Sequence, residues 1–410
     1  MERIGIYGGT FNPPHIGHIQ AAKQAVKALG LKKLLVIPDR IAPHKAMPGN
    51  SATPQQRLDM LRIALADCPE IEVSDIELNR EGPSYTYETI LQIKTMYPDA
   101  RLVLLMGTDM FLSFHTWKNP HIILENTMLG VFYRGEKGEA AAIEAKKAEM
   151  EATGAEVELV ENPVIQISST QMRRLLAFRC AGEFLPDGVL DYIRENRLYD
   201  TRAPWKNLPM EQLEQVVISL LNPNRVAHVL GCRDTAVELA RHWGADPVDA
   251  ARAGILHDIT KAIDGPLQLT LCEAYGKILS DFSRKYPKTL HALTGSLVAE
   301  RIFGENEAVV SAIEWHTTGR ANMDLLEKIV YIADYIEPNR TIPTTGKADM
   351  NLLEKIIYVA DYMEPNRDFP GVENLRTLAY TDMDAALKLG LEMTLEHLNR
   401  QGAEVSPESR

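Results

Sequence analysis

Two histidines near the start of the chain have the types and spacing of residues that handle phosphate groups. They belong to the string GGTFNPPHIGH, which occupies 8–18 and follows a short apolar run. The glycines of this string let the backbone approach a ligand closely, and the amides of Thr10 and Phe11 can point at phosphate oxygens. His15 and His18 lie in the first turn of a predicted helix, so they share a face beside the positive end of its dipole. Two imidazoles in that position suit the charge that develops on a transferring phosphoryl group.

A second motif with phosphate chemistry is ISSTQMRRLL at 167–176. The hydroxyls of Ser168, Ser169 and Thr170 stand at the entry to a predicted helix, where free backbone amides can hold an anion. Arg173 follows one turn later and could neutralise the β- and γ-phosphates of a nucleotide. A hydroxyl-rich N-cap is common in any helix, so this motif alone is weak evidence for phosphate binding. It becomes strong evidence when it occurs together with the first motif.

The elements that must position these motifs alternate between apolar strands and amphipathic helices. Strands are predicted at 4–7, 33–37, 71–76, 101–106, 128–133 and 157–160. Helices are predicted at 16–30, 55–65, 136–154 and 167–176, and a further helix ends near 97. This alternation predicts a parallel sheet in an α/β, Rossmann-like domain, where ligands bind at the carboxyl ends of the strands.

Several side chains lie in segments that follow the predicted strands and would face the same pocket. Lys45, after the second strand, is a candidate phosphate ligand or an ordinary solvated lysine. Thr86, at a helix start, could help to hold a carboxylate or could serve as a cap. Asp109, after the fourth strand, could take a ribose hydroxyl or cap the next helix. Trp117 could stack on a flat heterocycle or simply end a core-facing helix. Arg134 follows the fifth strand.

The first motif resembles the signature of the nucleotidyltransferase α/β-phosphodiesterase superfamily, whose hallmark H-x-G-H stands at 15–18. With the ISSTxxR segment in the right order, residues 1–200 are similar to the bacterial nicotinate mononucleotide adenylyltransferase family. The resemblance implies transfer of an adenylyl group from ATP to nicotinate mononucleotide, with Mg²⁺, giving nicotinate adenine dinucleotide and pyrophosphate. The loop at 39–43 departs from the glycine- and proline-rich form of that family. The H-x-G-H motif alone does not choose between this acceptor and nicotinamide mononucleotide or pantetheine phosphate.

The motifs and the resemblance assign two sets of site residues to this domain. The catalytic set, which would bind ATP phosphates, consists of His15, His18 and Arg173. The set that would bind ATP and substrate consists of Gly8, Gly9, Thr10, Phe11, Lys45, Thr86, Gly107, Asp109, Trp117, Arg134, Ser168, Ser169 and Thr170. Within this second set, the resemblance implies contact of Lys45 with phosphate and of Asp109 with the adenosine ribose. It implies that Thr86 and Trp117 lie near the nicotinate ring.

Length and charge bound the remaining possibilities. At 410 residues the chain exceeds one ordinary domain, and we divide it into a first domain at 1–200, a linker at 201–210, a helical domain at 211–402 and a tail at 403–410.

The net charge of −12 argues against a protein that coats nucleic acid or an anionic membrane. No apolar run approaches the ~18 residues of a membrane span and no signal peptide is indicated, so we expect a cytoplasmic protein. The four cysteines lack any C-x-x-C spacing, which indicates neither a disulfide framework nor a cysteine zinc site.

Histidines and aspartates recur along the helical second half in a pattern that suits metal binding. Each histidine lies on its own helix or helix end, and the candidate ligands are His228, His257, Asp258, His291, His316 and Asp334. A single histidine on an apolar helical face is usually a satisfied core residue, but four of them with two aspartates argue against that explanation. Imidazole with carboxylate and no thiolate suits Fe, Mn or Zn. Six ligands are enough for a two-metal site that activates water and clamps a phosphate.

This pattern resembles the HD-domain phosphohydrolase superfamily. The stretch HTTGRANMDLLEKIVYIADYIEPNR at 316–340 is similar to the bacterial HD-domain hydrolases that cleave diadenosine tetraphosphate symmetrically. The resemblance implies that the six candidate ligands hold two Fe or Mn ions and that diadenosine tetraphosphate is cleaved to two ADP. It also makes Lys261, Arg320 and Arg340 candidates to hold the polyphosphate.

A tandem duplication departs from that family. Residues 317–340 recur at 344–367 with 18 of 24 positions identical and a constant offset of 27. The second copy has Pro343 where His316 stands in the first, but it carries Asp361, the alternative to Asp334 as a metal ligand. We favour Asp334 because the upstream copy has the expected spacing to His316, although the downstream copy continues into DFPGVENL as the family does.

The surplus copy also affects the expected partners. An extra amphipathic helix would expose an apolar stripe unless it packs on the domain or on another subunit, which predicts a tendency to form homo-oligomers. An alternative hypothesis is that the duplication has broken the metal site and left a regulatory or oligomerisation module. Otherwise the expected partners are ATP, nicotinate mononucleotide and diadenosine tetraphosphate, with no nucleic acid and no membrane.

Overall fold

The chain divides into two compact units, Met1–Ala203 and Pro204–Arg410. The computed structural model describes residues 2–42, 47–133, 137–161, 167–285, 287–337, 372–389 and 392. The division falls inside the segment 201–210 that the sequence marks as a linker. Among the described residues, no helix combines the length and the hydrophobicity needed to cross a bilayer.

The first unit is built on a six-stranded sheet with the order β3-β2-β1-β4-β5-β6. The strands are β1 (Arg3–Gly9), β2 (Lys33–Pro38), β3 (Ile71–Val73), β4 (Arg101–Gly107), β5 (Thr127–Tyr133) and β6 (Val157–Glu161). All neighbouring strands pair in parallel, so the predicted α/β class with a parallel sheet is confirmed. The strand order reverses direction between β1 and β4, and such a switch point opens a crevice at the carboxyl ends of the strands.

Helices connect these strands and cover both faces of the sheet. They are α1 (Ile16–Ala28), α2 (Pro54–Ala64), α3 (Thr86–Met96), α4 (Thr108–Leu112), α5 (Pro120–Asn126), α6 (Lys137–Ala152), α7 (Ser169–Ala177) and α8 (Val189–Glu195). Alternate residues of β4 belong to two separate hydrophobic clusters. Leu102 and Leu104 pack into one cluster, whereas Val103 and Leu105 pack into the other. This period of two is the reason that a strand buried on both faces reads as a continuous apolar run.

The second unit is helical throughout its described residues, which confirms the predicted all-α class. Its helices are α9 (Met210–Leu220), α10 (Val226–Trp243), α11 (Pro247–Leu256), α12 (Gly265–Ala274), α13 (Asp281–Lys285), α14 (His291–Val298), α15 (Glu307–Trp315), α16 (Leu325–Ile336) and α17 (Val372–Thr381). A π-helical turn, Ala299–Phe303, extends α14.

Part of the segment assigned to a linker is packed within the second unit. The ring of Trp205 stacks on that of Phe303 with centroids 5.7 Å apart and an interplanar angle of 4°. The backbone amide of Asn207 donates a hydrogen bond to the carbonyl oxygen of Phe303 at 2.8 Å. These contacts order the chain before α9 begins.

Candidate active sites

Two hydrogen bonds join the two motifs of the first unit, which lie far apart in the sequence. The guanidinium of Arg173 donates from Nη1 to the carbonyl oxygen of Asn12 at 2.8 Å. The hydroxyl of Ser169 donates to the carbonyl oxygen of Pro13 at 3.3 Å. The side chain of Ser168 caps α7 by accepting from the amide of Gln171. The start of α7 therefore lies beside the loop that follows β1, at the carboxyl edge of the sheet.

The imidazoles of His15 and His18 lie against each other at the start of α1. Their ring centroids are 3.7 Å apart at 31°, and the backbone amide of His15 donates to Nδ1 of His18 at 3.3 Å. Burial lowers the pKa of His18 to about 4. Burial, together with the charge of His18, holds the pKa of His15 well below its usual range. Both rings are therefore neutral near pH 7, and Nδ1 of His15 is buried without a hydrogen-bond partner among the described residues.

The last two residues of β1 are glycines with different surroundings. A Cβ built on Gly8 would meet nothing within 4 Å, whereas one on Gly9 would lie 3.1 Å from the ring of Phe11. Phe11 has a left-handed backbone (φ 48°), and its ring packs edge-on against that of His18 at 5.0 Å. The hydroxyl of Thr10 donates its proton to Asp39 Oδ2 at 2.7 Å, a contact within the protein.

Sequence reasoning missed Arg57, whose buried guanidinium forms hydrogen bonds with the backbone of the loop that follows β1. The guanidinium is only 1% exposed and pairs with Asp39 Oδ1 at 3.0 Å. It also donates to the carbonyl oxygens of Thr10, at 2.6 Å, and Asp39, at 2.7 Å. A signal was available, because Arg57 lies one helical turn before Leu61 on the apolar face of α2. Tyr199, also missed, is described below.

The residues predicted to meet the base, ribose and acceptor occupy several strand ends. Thr86 begins α3, and Asp109 lies exposed in the first turn of α4. The N-cap of α4 is Gly107, so the alternative that Asp109 caps this helix is wrong. Trp117 is half-buried and packs beside Phe114 with ring centroids 5.3 Å apart, which combines a core contact with partial exposure. Lys45 and Arg134 lie outside the described residues.

The second unit brings all six predicted metal ligands together, with Asp258 at the centre. Asp258 Oδ2 is 3.6 Å from Nε2 of His228 and 3.6 Å from Nε2 of His257. Asp258 Oδ1 is 3.6 Å from Nε2 of His291 and 3.9 Å from Nε2 of His316. One carboxylate therefore presents an oxygen to each of two histidine pairs.

Asp334 completes the first of these groups. Its Oδ1 is 3.3 Å from Nε2 of His228 and 3.6 Å from Nε2 of His257. Asp361, the alternative ligand, lies outside the described residues, as does Arg340. The helix α16, which belongs to the first copy of the duplication, thus occupies the place in the helical core that faces His228.

Hydrogen bonds on the far side of the rings orient the histidines for coordination. Nδ1 of His257 lies 2.8 Å from the carbonyl oxygen of Gly254, and Nδ1 of His316 lies 2.7 Å from that of Ile313. Nδ1 of His228 lies 3.0 Å from Oε1 of Glu337. Such partners fix the tautomer and leave Nε2 free to bind a metal. The buried set of imidazole and carboxylate groups fits Fe, Mn or Zn.

Glu337 and Arg225 are two members of this site that sequence reasoning missed. Arg225 donates from Nη2 to Asp258 Oδ2. Burial opposes ionisation of Asp258, but the nearby charges of Arg225 and Lys261 hold its pKa well below its usual range. Both missed residues follow a helical spacing, since Arg225 lies three residues before His228 and Glu337 three after Asp334.

The predicted polyphosphate ligands differ in their surroundings. Lys261 Nζ lies 3.1 Å from Nε2 of His291, inside the cluster. Arg320 instead pairs with the buried carboxylate of Glu327 at 2.8 Å, near the start of α16. The hydroxyl of Thr317 lies 3.2 Å from Nε2 of His291 and 3.1 Å from Nε2 of His316. The ammonium of Lys261 and the hydroxyl of Thr317 therefore lie beside the second histidine pair.

Comparison with known proteins assigns the two units to different families. Residues 6–175 match the family model described as cytidylyltransferase-like, and residues 225–339 match that of the HD domain. A relative from Symbiobacterium thermophilum named "Probable nicotinate-nucleotide adenylyltransferase" is 35% identical over 201 residues, which cover 48% of this chain and 96% of the relative. A relative of the same name from Aeromonas salmonicida is 38% identical over 211 residues, with 48% and 96% covered.

A solved structure also resembles part of the chain. It is described as a predicted HD superfamily hydrolase involved in NAD metabolism from Clostridium acetobutylicum, and it is 32% identical. The match covers 49% of this chain and 93% of that chain, with a TM-score of 0.41.

Proposed function

The chain belongs to the nicotinate-nucleotide adenylyltransferase family through its first unit and carries an HD domain in its second, and we propose that the first unit adenylylates nicotinate mononucleotide. ATP is the donor, and the products are nicotinate adenine dinucleotide and pyrophosphate. The observation that carries this proposal is the hydrogen bond between Arg173 and the carbonyl of Asn12, which places the guanidinium of one phosphate motif on the loop of the other.

The reaction needs positioning and electrostatic stabilisation rather than a covalent enzyme intermediate. A phosphate oxygen of the mononucleotide forms a bond to the α-phosphorus of ATP while the bond from that phosphorus to the bridging oxygen of pyrophosphate breaks. The neutral imidazoles of His15 and His18 donate N–H hydrogen bonds to phosphate oxygens, and Arg173 supplies positive charge to the departing pyrophosphate.

Mg²⁺ is the proposed cofactor of this unit. It binds mainly through substrate phosphates and water, so it neutralises charge without a dedicated protein cage.

The acceptor is tested by supplying the full chain with ATP and Mg²⁺ and measuring pyrophosphate with nicotinate mononucleotide, nicotinamide mononucleotide or pantetheine phosphate. We expect the first acceptor to be preferred. His18→Ala should lower kcat by about 100-fold, because a donor aimed at developing charge is lost. The exposed His115 provides the matched control, His115→Ala, which should behave as wild type. Preference for another acceptor would refute the assignment.

For the second unit, we propose metal-dependent, symmetrical hydrolysis of diadenosine tetraphosphate to two ADP. The convergence of His228, His257 and Asp258 in one group, and of Asp258, His291 and His316 in another, supports two Fe or Mn ions. Such a pair of ions lowers the pKa of a bound water and neutralises a phosphate. Lys261, whose Nζ lies 3.1 Å from Nε2 of His291, is a candidate to hold the polyphosphate.

The test is to purify the chain anaerobically with Fe²⁺ or Mn²⁺, count bound metal and follow ADP release from diadenosine tetraphosphate. Asp334→Ala and Asp361→Ala form a matched pair, because they change the same position of the two copies. We expect only Asp334→Ala to abolish metal binding and activity, because the carboxylate of Asp334 lies 3.3 Å from His228. A wild-type chain that binds no metal and releases no ADP would favour the alternative, a regulatory or oligomerisation module.

A further inference from the structure

Tyr199 lies near the end of the first unit, outside both phosphate motifs, yet its side chain is only 1% exposed. Its hydroxyl donates a hydrogen bond to Oδ1 of Asn12 at 2.7 Å, across 187 residues of sequence. The backbone at Tyr199 and Asp200 is left-handed, with φ of 54° and 60°. This conformation is unfavourable for residues with a Cβ, so surrounding contacts must maintain it.

Asn12, which receives this hydrogen bond, is itself buried and connects several segments. Its Nδ2 donates to the hydroxyl of Ser51 at 2.9 Å, while its Oδ1 accepts from Tyr199. These two bonds fix the orientation of the side-chain amide, because each end has a partner of the correct type. The backbone carbonyl of the same residue accepts from Arg173 at 2.8 Å. Contacts that fix the side chain of Asn12 therefore also fix the carbonyl oxygen that accepts from Arg173.

Burial keeps the hydroxyl of Tyr199 protonated and therefore able to donate. Burial raises the pKa of Tyr199, and the guanidinium groups of Arg173 and Arg57 oppose that rise without reversing it. The phenol therefore stays protonated at any physiological pH. Arg173 is held at its other end by the hydroxyl of Thr170, which accepts from Nη2 at 3.1 Å.

We propose that Tyr199 is a positioning residue for the ATP-phosphate site, which acts through Asn12 to fix the guanidinium of Arg173. The inference rests on the proposed adenylyl transfer. Without the hydroxyl, Oδ1 of Asn12 is buried without its donor, and the loop can shift to find another partner. A small displacement of a phosphate-binding group is enough to weaken binding and slow transfer.

The first test compares Tyr199→Phe with wild type in the full chain. We expect the KM for ATP, and the Kd for ATP measured by titration calorimetry, to rise about tenfold, because the displaced guanidinium of Arg173 contacts the phosphates less well. The KM for nicotinate mononucleotide should change by no more than about twofold, since Asn12 holds the ATP side of the site. The matched control is Tyr192→Phe, which removes a hydroxyl that hydrogen-bonds Asp59 Oδ2 at 3.1 Å in the same unit. It should leave both constants at the wild-type values.

A double-mutant cycle separates positioning from a merely structural role. In an Arg173→Lys background, Tyr199→Phe should raise the Kd for ATP by only about twofold, because the group it positions has gone. Multiplicative effects of the two substitutions would overturn the proposal. It would also be overturned if Tyr199→Phe lowered only the melting temperature, or matched Tyr192→Phe. A wild-type chain that binds ATP but does not adenylylate nicotinate mononucleotide would refute the proposed function alone, since the ATP titrations still decide the role of Tyr199.

Discussion

The imidazoles of His15 and His18 owe their chemistry to burial rather than to an acidic partner. Burial lowers the pKa of both rings, to about 4 for His18. The pair therefore offers N–H donors without carrying positive charge at neutral pH, and we propose that Arg173 supplies the positive charge that ATP phosphates meet.

The lowered pKa of His18 makes the stability of the first unit depend on pH. In the unfolded chain this ring takes up a proton near pH 6.5, whereas in the folded chain it does so only near 4. The unfolded state therefore binds more protons across this window, and the first unit loses stability as the pH falls from about 6.5 towards 4. In His18→Gln, calorimetry between pH 7 and 5.5 should show a smaller fall in melting temperature than in wild type.

The relevant transition is the one that added ATP shifts to higher temperature. His115→Gln, at an exposed position, should follow the wild-type pH dependence. Equal pH dependence in His18→Gln and wild type would show that His18 is not protected from protonation.

Glu337 has a comparable single-residue role in the second unit. Its fully buried carboxylate lies 3.0 Å from Nδ1 of His228, so it sets which nitrogen of that ring faces the cluster. Glu337→Gln should weaken Mn²⁺ binding by about tenfold, because loss of the negative charge behind His228 lowers the affinity of that ring for a metal. The measurement is metal titration of the purified full chain. Glu300→Gln, at an exposed carboxylate, should bind Mn²⁺ as wild type does.

At the scale of elements, the metal cluster depends on how closely α10 and α11 approach each other. A Cβ built on Gly254 of α11 would lie 2.7 Å from the Cα of Arg233 in α10, closer than real atoms come. His228 lies on α10, and His257 follows directly after α11. The missing side chain of Gly254 therefore sets the spacing of two predicted ligands.

Gly254→Ala should force these helices apart. We expect a loss of about 1–3 kcal/mol in the stability of the second unit from overpacking. Metal affinity should also fall, since the carbonyl of Gly254 holds His257 at 2.8 Å. Urea unfolding and Mn²⁺ titration would measure the two effects. The control is Gly182→Ala, where the nearest heavy atom is Leu190 Cδ2 at 3.7 Å, and wild-type behaviour of Gly254→Ala would contradict the packing argument.

At the scale of the whole molecule, the tandem duplication adds a second copy of a segment that an HD domain needs only once. The described residues include the first copy up to 337, and Asp334 lies in the cluster of predicted metal ligands. The second copy, with Asp361, lies outside the described residues. We therefore propose that the first copy supplies the ligand, which predicts that the second copy is dispensable for metal binding.

Deletion of 341–367 tests this conclusion directly. It removes the second copy and joins Arg340 to Asp368, which restores a single repeat followed by DFPGVENL. We expect the shortened chain to keep the metal stoichiometry and adenylyltransferase activity of wild type, with any self-association reduced, by sedimentation velocity. Loss of bound metal on deletion would show instead that the second copy contributes to the cluster.

The sequence by itself determined the six strands, the class of each unit, the two phosphate motifs and the six histidine and aspartate candidates. These features are local, because apolar periodicity and motif spacing are written within a few consecutive residues. Only the tertiary structure decided which side chains support them: Arg57 behind the first loop, Tyr199 on Asn12, and Arg225 and Glu337 at the cluster. The partner of a buried polar group comes from segments that meet only on folding, so the periodicity of neither segment reveals it.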